Sequence, residues 1–306
     1  MNLPESVRIV EVGPRDGLQN EAAPVETDDK VAFVNALAAA GHSTIEVSAF
    51  VSPKWVPQMA DAAAVFARIE RRAGVRYTAL VPNLAGLARA REAQVDEIAI
   101  FAAASESFSK RNINQSVAES LDAYAAVCRQ AQEAGLRVRA YLSTVFGCPF
   151  EGAVPLETVA TVAARLMAMG AYEVALSDTI GIAHPGQVRP VVEAVTGRGV
   201  ALSQIAMHFH DTRGTALVNV YAALQAGITT FDSSAGGLGG CPYAPGATGN
   251  LATEDLIYML NGLDIETGVN LDGVIAASAA IEPHVGHLLP SRVLNASRTS
   301  KLESRK

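Results

Sequence analysis

The sequence predicts an α/β protein built as a closed (β/α)8 barrel with an extra helical region at its C-terminal end. Short β-rich apolar runs alternate with longer runs rich in Ala, Leu and Glu. Eight such units of roughly 30 residues each are typical of this architecture, the TIM barrel. An open doubly wound sheet is the alternative. No G-x-G-x-x-G motif follows the first apolar run, and eight units are many for one open sheet, so the barrel is favoured.

Eight segments carry the predicted strands. They comprise residues 7–13, 44–50, 77–82, 97–104, 137–144, 173–178, 205–210 and 230–235. The helical runs between them include residues 28–41, 116–135, 155–170 and 215–227, and they end in Gly41, Gly135, Gly170 and Gly227. A helix C-cap is expected at each of these glycines. We predict a barrel domain over residues 1–262 and a helical extension over residues 263–306, packed on the barrel and ending in a polar tail.

Composition and charge limit the classes of function. Hydrophobic residues make up 49% of the chain and charged residues 18%, as in an ordinary globular protein. The formal net charge of -7 argues against a nucleic-acid or anionic-membrane partner, because both select clustered Lys and Arg. The sequence shows no signal-peptide pattern and no apolar run near the ~18 residues of a membrane helix. The three cysteines have no paired spacing and are an odd number for a disulfide framework. We therefore predict a reduced, cytoplasmic protein.

Two histidines mark the end of the seventh predicted strand. His208 and His210 are one residue apart in an apolar run, and residues i and i+2 of a strand point to the same side. Two imidazoles on one side are a plausible half of a metal site. For any single histidine, a core residue bonded to a carbonyl is the commoner role. Active sites of these barrels lie at the carboxyl ends of the strands, so the other half of a metal site is expected there.

Polar residues at other strand ends supply candidates for that other half. Arg15 and Asp16 follow the first strand; for an Arg-Asp pair taken alone, a solvated turn is the commoner role. Glu46 lies inside the apolar run of the second strand. A buried carboxylate is costly unless it is paired, so we expect Glu46 to meet a cation, with Arg15 as the candidate. Asp178 ends the sixth strand, and Asn250 lies beyond the eighth.

The donor types gathered at this predicted barrel mouth favour a particular kind of ion. Two imidazoles, a carboxylate and an amide oxygen suit a divalent cation that keeps open positions. Mg²⁺ or Mn²⁺ is more consistent with this set than a structural zinc ion, because the sequence offers no thiolate pair.

A glycine-rich segment beyond the eighth strand carries the nearest thiol. Its sequence, GGLGGCPYAPG, contains Cys241, and its glycines permit positive φ and close approach of the backbone. We therefore predict that Gly239 and Gly240 contact the substrate. A flexible connection is one interpretation of the segment, and a lid that brings a thiol to the site is the other.

Five segments together resemble the 3-hydroxy-3-methylglutaryl-CoA lyase family. They are GPRDGLQNE (13–21), VSPKWVPQMAD (51–61), SDTIG (177–181), HFHDTRG (208–214) and GGLGGCPYAPGATGNLATEDL (236–256). The similarity covers nearly the whole barrel in matching order. The cysteine segment is the most specific of the five. Related metal-dependent barrels, such as homocitrate and isopropylmalate synthases and ketoacid aldolases, share the Arg-Asp pair and the H-x-H motif but not this segment.

The resemblance implies a ligand set and a reaction. Asp16, His208, His210 and Asn250 would bind the divalent ion. The reaction would be the metal-dependent cleavage of 3-hydroxy-3-methylglutaryl-CoA to acetyl-CoA and acetoacetate, a step of leucine degradation. The partner would be an acyl-CoA, with no nucleic acid and no membrane involved, and a homodimer stays open.

The resemblance also implies catalytic roles. Arg15 would polarise the thioester carbonyl, Glu46 would support Arg15, Asp178 would handle a proton, and Cys241 would be the catalytic thiol. The chain departs from family members at residues 22–23, 143–144 and 177, which bear on CoA contacts and on the acyl chain. Two alternatives stay open: a lyase for a longer-chain substrate such as the isohexenyl analogue, and a non-catalytic barrel that binds CoA esters.

Overall fold

A computed structural model of the protein describes residues 3–22, 24–240 and 249–303, with side chains described as far as residue 298. Eight parallel strands form a closed barrel in which each strand pairs with the next along the chain and β8 pairs with β1. The strands are β1 Arg8–Glu11, β2 Thr44–Ala49, β3 Arg76–Leu80, β4 Glu97–Ala103, β5 Arg137–Ser143, β6 Glu173–Ser177, β7 Ile205–His208 and β8 Thr230–Ser233. The predicted (β/α)8 barrel is confirmed.

Eleven α-helices occur within the described residues. They are α1 Thr27–Ala39, α2 Ala62–Arg68, α3 Leu84–Glu92, α4 Glu106–Ile113, α5 Val117–Glu133, α6 Leu156–Ala168, α7 Pro185–Gly197, α8 Ala216–Gln225, α9 Thr253–Gly262, α10 Leu271–Val285 and α11 Arg292–Glu303. Across the part of the chain that the structure describes, none of these helices has both the length and the apolar character that a membrane crossing needs.

Helix ends and strand burial follow from the sequence pattern. Gly41, Gly135, Gly170 and Gly227 have φ values of 102°, 75°, 93° and 90°. Glycine adopts this left-handed region without a Cβ clash, so these residues can end helices as predicted. Every residue of β2, β6, β7 and β8 is buried. Helices cover the outer face of the barrel, which explains why the strands read as continuous apolar runs.

The seventh strand ends two residues earlier than the predicted range of 205–210. The contacts that end it also position a residue of the site. β7 ends at His208, and His210 instead forms an isolated antiparallel bridge with Asn250. The amide of Leu251 donates to the carbonyl of Phe209 at 3.1 Å, and the amide of Asp211 donates to Gly249 at 2.9 Å. The chain beyond β8 therefore returns across the end of β7 and carries Asn250 to the mouth of the barrel.

The C-terminal helices are tied to the barrel by backbone and carboxylate contacts. The amide of Asn270 donates to the carbonyl of Ala40 at 2.8 Å. The carboxylate of Asp255, on α9, accepts from the Ser291 hydroxyl at 3.0 Å and from the Val293 amide at 2.8 Å. The bond from Val293 satisfies an amide at the start of α11 that has no partner within the helix. The division of the chain at residue 262 stays a prediction.

Candidate active site

A cavity of about 730 Å³ opens at the carboxyl ends of the strands. Its polar wall contains Arg15, Asp16, Gln19, Ser143, Ser177, Thr179, His208 and His210. Its apolar wall contains Val56, Leu80, Pro82, Phe101, Ile113 and Tyr124. A large cavity with an apolar wall and a few converging polar groups is the usual form of a small-molecule site.

A single π-helical turn, Gly13–Gly17, places Arg15 and Asp16. The carbonyl of Val12 accepts the amides of Asp16 and Gly17, at 2.7 and 3.2 Å. A Cβ on Gly17 would lie 2.8 Å from the Cβ of Leu238, so only glycine lets this turn pack so closely. Arg15 is buried. The alternative of a solvated turn is therefore wrong.

Arg15 forms the ion pair with Glu46 that the sequence predicts. The Nε of Arg15 donates to Oε2 of Glu46 at 2.7 Å, and its Nη1 donates to Oδ1 of Asp16 at 2.5 Å. The Tyr141 hydroxyl donates to the same Glu46 oxygen at 3.0 Å. Burial alone would lower the pKa of Arg15, but the carboxylates of Glu46 and Asp16 raise it above its ordinary value. The guanidinium is therefore fixed in position and always charged.

Asp16, His208 and His210 form a cluster that can hold a metal ion. One ligand atom from each residue lies within 4.8 Å of the others. The two Nε2 atoms are 3.2 Å apart, and Nε2 of His208 is 3.9 Å from Oδ2 of Asp16. Two ring nitrogens that face each other at this distance repel unless a proton or a cation lies between them. Burial alone would raise the pKa of Asp16, but the charge of Arg15, followed by the two imidazoles, lowers it to about 2.

Asn250 lies beside this cluster. Its Nδ2 donates to Oδ2 of Asp16 at 2.9 Å and to the carbonyl of Leu238 at 3.1 Å. Its Oδ1 is buried and has no hydrogen-bond partner among the described residues. A buried polar atom without a partner is costly, and coordination to a cation would relieve that cost. The residues present therefore fit a divalent ion with carboxylate, imidazole and amide donors, and the ligand role of Asn250 stays a prediction.

Asp178 does not line the cavity; its neighbours Ser177 and Thr179 do. Its carboxylate accepts the amides of Ile182 at 2.9 Å and Ala183 at 3.1 Å. Burial raises the pKa of Asp178 to about 6. In this geometry Asp178 anchors the loop after β6, and its predicted part in proton handling stays a prediction.

The glycine-rich segment is described only in part. Gly240 lines the cavity. Gly239 has a φ of 108°, and a Cβ there would lie 2.8 Å from Nδ2 of Asn250 and 3.2 Å from Cα of Gly17. Gly239 therefore lets the segment pass close to the cluster. Cys241 lies outside the described residues, and its role stays a prediction.

Three buried polar residues of the site were missed by the sequence reasoning. Tyr141 and Arg139 lie on β5, and Asp232 lies on β8. The Oδ2 of Asp232 is 3.2 Å from Nδ1 of His208. The argument that predicted a partner for Glu46 could have found them too, because an ionisable side chain inside an apolar strand needs a partner.

The chain is similar in sequence to one family of known proteins. Residues 6–281 match the family described as HMGL-like. The chain is 54% identical, over 97% of its length and 98% of the relative, to the 3-hydroxy-3-isohexenylglutaryl-CoA/hydroxy-methylglutaryl-CoA lyase of Pseudomonas aeruginosa. It is 52% identical, over 98% of its length and 100% of the relative, to the hydroxymethylglutaryl-CoA lyase YngG of Bacillus subtilis.

Solved structures show the same similarity. The crystal structure of the Bacillus subtilis HMG-CoA lyase superposes with a TM-score of 0.96 at 52% identity, covering 97% of this chain and 100% of that one. The HMG-CoA lyase of Acinetobacter baumannii, in complex with coenzyme A and 3-methylmalate, superposes with a TM-score of 0.91 at 38% identity, covering 95% of each chain.

The metal cluster generates a prediction that needs no substrate. The change His210→Ala removes one of its two facing imidazoles, so the affinity for Mn²⁺, used as a probe, is expected to fall by at least about tenfold. Isothermal titration calorimetry measures this affinity. His284→Ala is the matched control, because His284 is partly exposed and pairs with Asp29. Equal affinity in wild type and His210→Ala would contradict the site.

Proposed function

The chain belongs to the HMGL-like family, and on that premise we propose that it cleaves 3-hydroxy-3-methylglutaryl-CoA to acetyl-CoA and acetoacetate. We propose Mg²⁺ or Mn²⁺ as the cofactor, held by Asp16, His208, His210 and Asn250. One observation carries the proposal. The cluster of Asp16 with two imidazoles lies beside a buried guanidinium on the wall of one cavity, so a metal-binding group and a fixed positive charge face the same bound molecule.

The first chemical demand is removal of the proton from a tertiary alcohol whose pKa lies far above 7. The divalent ion that Asp16, His208, His210 and Asn250 would hold would lower that pKa and orient the hydroxyl group. Asp178 is the proposed base, and its pKa near 6 suits a group that exchanges a proton close to neutral pH. Because Asp178 does not line the cavity, the proton would reach it through a water molecule.

The second demand is stabilisation of the charge that develops when the carbon–carbon bond breaks. The electrons of that bond pass to the thioester fragment and form the enolate of acetyl-CoA. Arg15 is the proposed partner of this negative charge. Its contacts with Glu46 and Asp16 fix the guanidinium before the reaction starts, so little reorganisation is needed as the charge appears.

The third demand is a proton for the enolate carbon. Cys241 is the proposed donor, because a thiol with a reference pKa of ~8.5 can give up a proton and regain it near neutral pH. Gly240, its neighbour in the chain, lines the cavity. That position supports a thiol within reach of the substrate.

A longer-chain 3-hydroxy-3-alkylglutaryl-CoA is the second candidate substrate. The cavity that the metal cluster lines also has apolar side chains, among them Val56, Pro82 and Ile113, and these suit a long alkyl chain. The name of the Pseudomonas aeruginosa relative includes both the isohexenyl and the methyl substrate. A non-catalytic CoA-ester-binding barrel is the remaining alternative, and it has no need of the fixed Arg15.

The proposed reaction can be tested directly by its product and by its dependence on metal. Purified protein with Mg²⁺ or Mn²⁺ is expected to release acetoacetate from 3-hydroxy-3-methylglutaryl-CoA. EDTA should abolish the release, and added metal should restore it. The isohexenyl substrate, assayed in parallel by acetyl-CoA release, separates the two lyase proposals. Binding of the thioester with no acetoacetate would favour the non-catalytic barrel instead.

Arg15→Gln tests the electrostatic role. We expect kcat to fall by about 10²–10³-fold, the usual effect of losing one fixed donor to a developing oxyanion. Bound metal should persist, because the cluster keeps all of its ligands. Arg165→Gln, at an exposed ion pair with Asp122, is the control and should leave kcat unchanged. A normal rate in Arg15→Gln would exclude the proposed role.

Cys241→Ser tests the proton donor. A serine hydroxyl is a much weaker acid than a thiol, so kcat should fall by about 10²–10⁴-fold while KM changes little. Steady-state kinetics with the methyl substrate measures both constants. The control is Cys128→Ala, a change at a buried residue of α5 that does not line the cavity. Near-normal turnover in Cys241→Ser would eliminate the thiol as the acid.

A further inference from the structure

A row of ionic side chains, half-buried at Arg8 and buried elsewhere, crosses the barrel interior behind the metal cluster and contacts the cluster at His208. The row begins with the Arg8 guanidinium, which donates to Glu173. The other oxygen of Glu173 accepts from Nε of Arg139 at 2.7 Å. Arg139 donates to both oxygens of Asp232, at 2.7 and 3.2 Å. The last contact is from Oδ2 of Asp232 to Nδ1 of His208, at 3.2 Å.

This last contact determines which ring nitrogen of His208 carries the proton. An ionised carboxylate only accepts hydrogen bonds, so Nδ1 of His208 must be the donor. A neutral imidazole then keeps its lone pair on Nε2. Nε2 is the nitrogen that faces His210 at 3.2 Å and Asp16 at 3.9 Å. The carboxylate behind the ring therefore directs the lone pair of His208 into the cluster.

Arg139 leaves Asp232 little freedom to turn away from His208. Its two donors meet both carboxylate oxygens, and both side chains are almost completely buried. Arg139 is itself held by Glu173 on β6. The row contains two guanidinium groups and two carboxylates, so its charges balance without any charge on His208.

We propose that Asp232 is a positioning residue that fixes the tautomer and orientation of His208 for a divalent ion, and that Arg139 holds Asp232 in place. The proposal rests on the proposed function only in taking His208 as a ligand. Metal-binding histidines usually donate their other ring nitrogen to a carboxylate or carbonyl group, and losing such a partner lowers metal affinity by about 10–100-fold.

Two isosteric variants distinguish this role from a purely structural one. In Asp232→Asn, the amide oxygen must face Arg139, which only donates. The NH2 group then faces Nδ1 of His208, favours the opposite tautomer and places a proton on Nε2, where the metal would bind. Glu173→Gln is the matched control. It removes one carboxylate from the same row but leaves the contact between Asp232 and His208 intact.

Two measurements on the full-length protein report the result. Imidazole ¹⁵N chemical shifts of metal-free protein give the tautomer of His208, and calorimetric titration with Mn²⁺ gives the metal affinity. In wild type and in Glu173→Gln we expect the proton on Nδ1 and equal affinity. In Asp232→Asn we expect the proton on Nε2 and an affinity about 10–100-fold lower.

Three results would overturn the proposal. They are a neutral His208 with its proton on Nε2 in metal-free wild type, an unchanged affinity in Asp232→Asn, or an equal loss of affinity in both variants. The tautomer of His208 is measured in the wild-type protein, so this result tests the proposal even if a variant fails to fold. Neither measurement uses substrate. Failure of the proposed lyase activity would appear separately, as the absence of acetoacetate from wild-type protein that still binds Mn²⁺.

Discussion

Charge buried inside a closed barrel can stay there only if each charged group meets an opposite one. Moving a single ion into the interior costs several kcal/mol even after the protein relaxes. The guanidinium groups of Arg15 and Arg139 lie within this barrel, and carboxylates at hydrogen-bond distance balance both. The ring of Tyr141 lies between them, with its centroid 5.4 Å from Arg15 and 5.0 Å from Arg139. The Tyr141 ring therefore contacts both the Arg15 guanidinium, which lines the cavity, and the Arg139 guanidinium, which lies behind the metal cluster.

The same constraint explains why the site is rigid before any ligand binds. Arg15 cannot swing into solvent without leaving Glu46 buried and unpaired, which would cost about 3–5 kcal/mol. The metal cluster is held by backbone as well as by side chains. The bridge between His210 and Asn250 ties the end of β7 to the returning chain, and the glycines at 17 and 239 allow that chain to pass close by. Fixed charges and fixed ligands are what electrostatic catalysis requires.

The fold and part of the site could be predicted because their signals are local. The barrel follows from alternating apolar runs, and the shared orientation of His208 and His210 follows from their spacing. The pairing of Arg15 with Glu46 was predictable because a carboxylate in an apolar strand needs a cation. The residues at which the strands end were harder to predict from the sequence. β7 stops at His208 because the backbone beyond it bonds to residues 249–251, a contact set by the return of a distant segment.

The remaining residues depend on contacts between strands that no spacing specifies. Asp232 reaches His208 only because β8 lies next to β7 in the closed barrel, and Arg139 reaches Asp232 from β5, across the interior. The carboxylate of Asp178 faces the loop amides that follow it, although its position at a strand end suggested the cavity. Removing one partner of a buried pair leaves the other unpaired, so a truncation in this network would confuse lost stability with lost function. Isosteric exchanges between acid and amide keep the shape and change only charge and hydrogen-bond direction, and these are the properties on which the site depends.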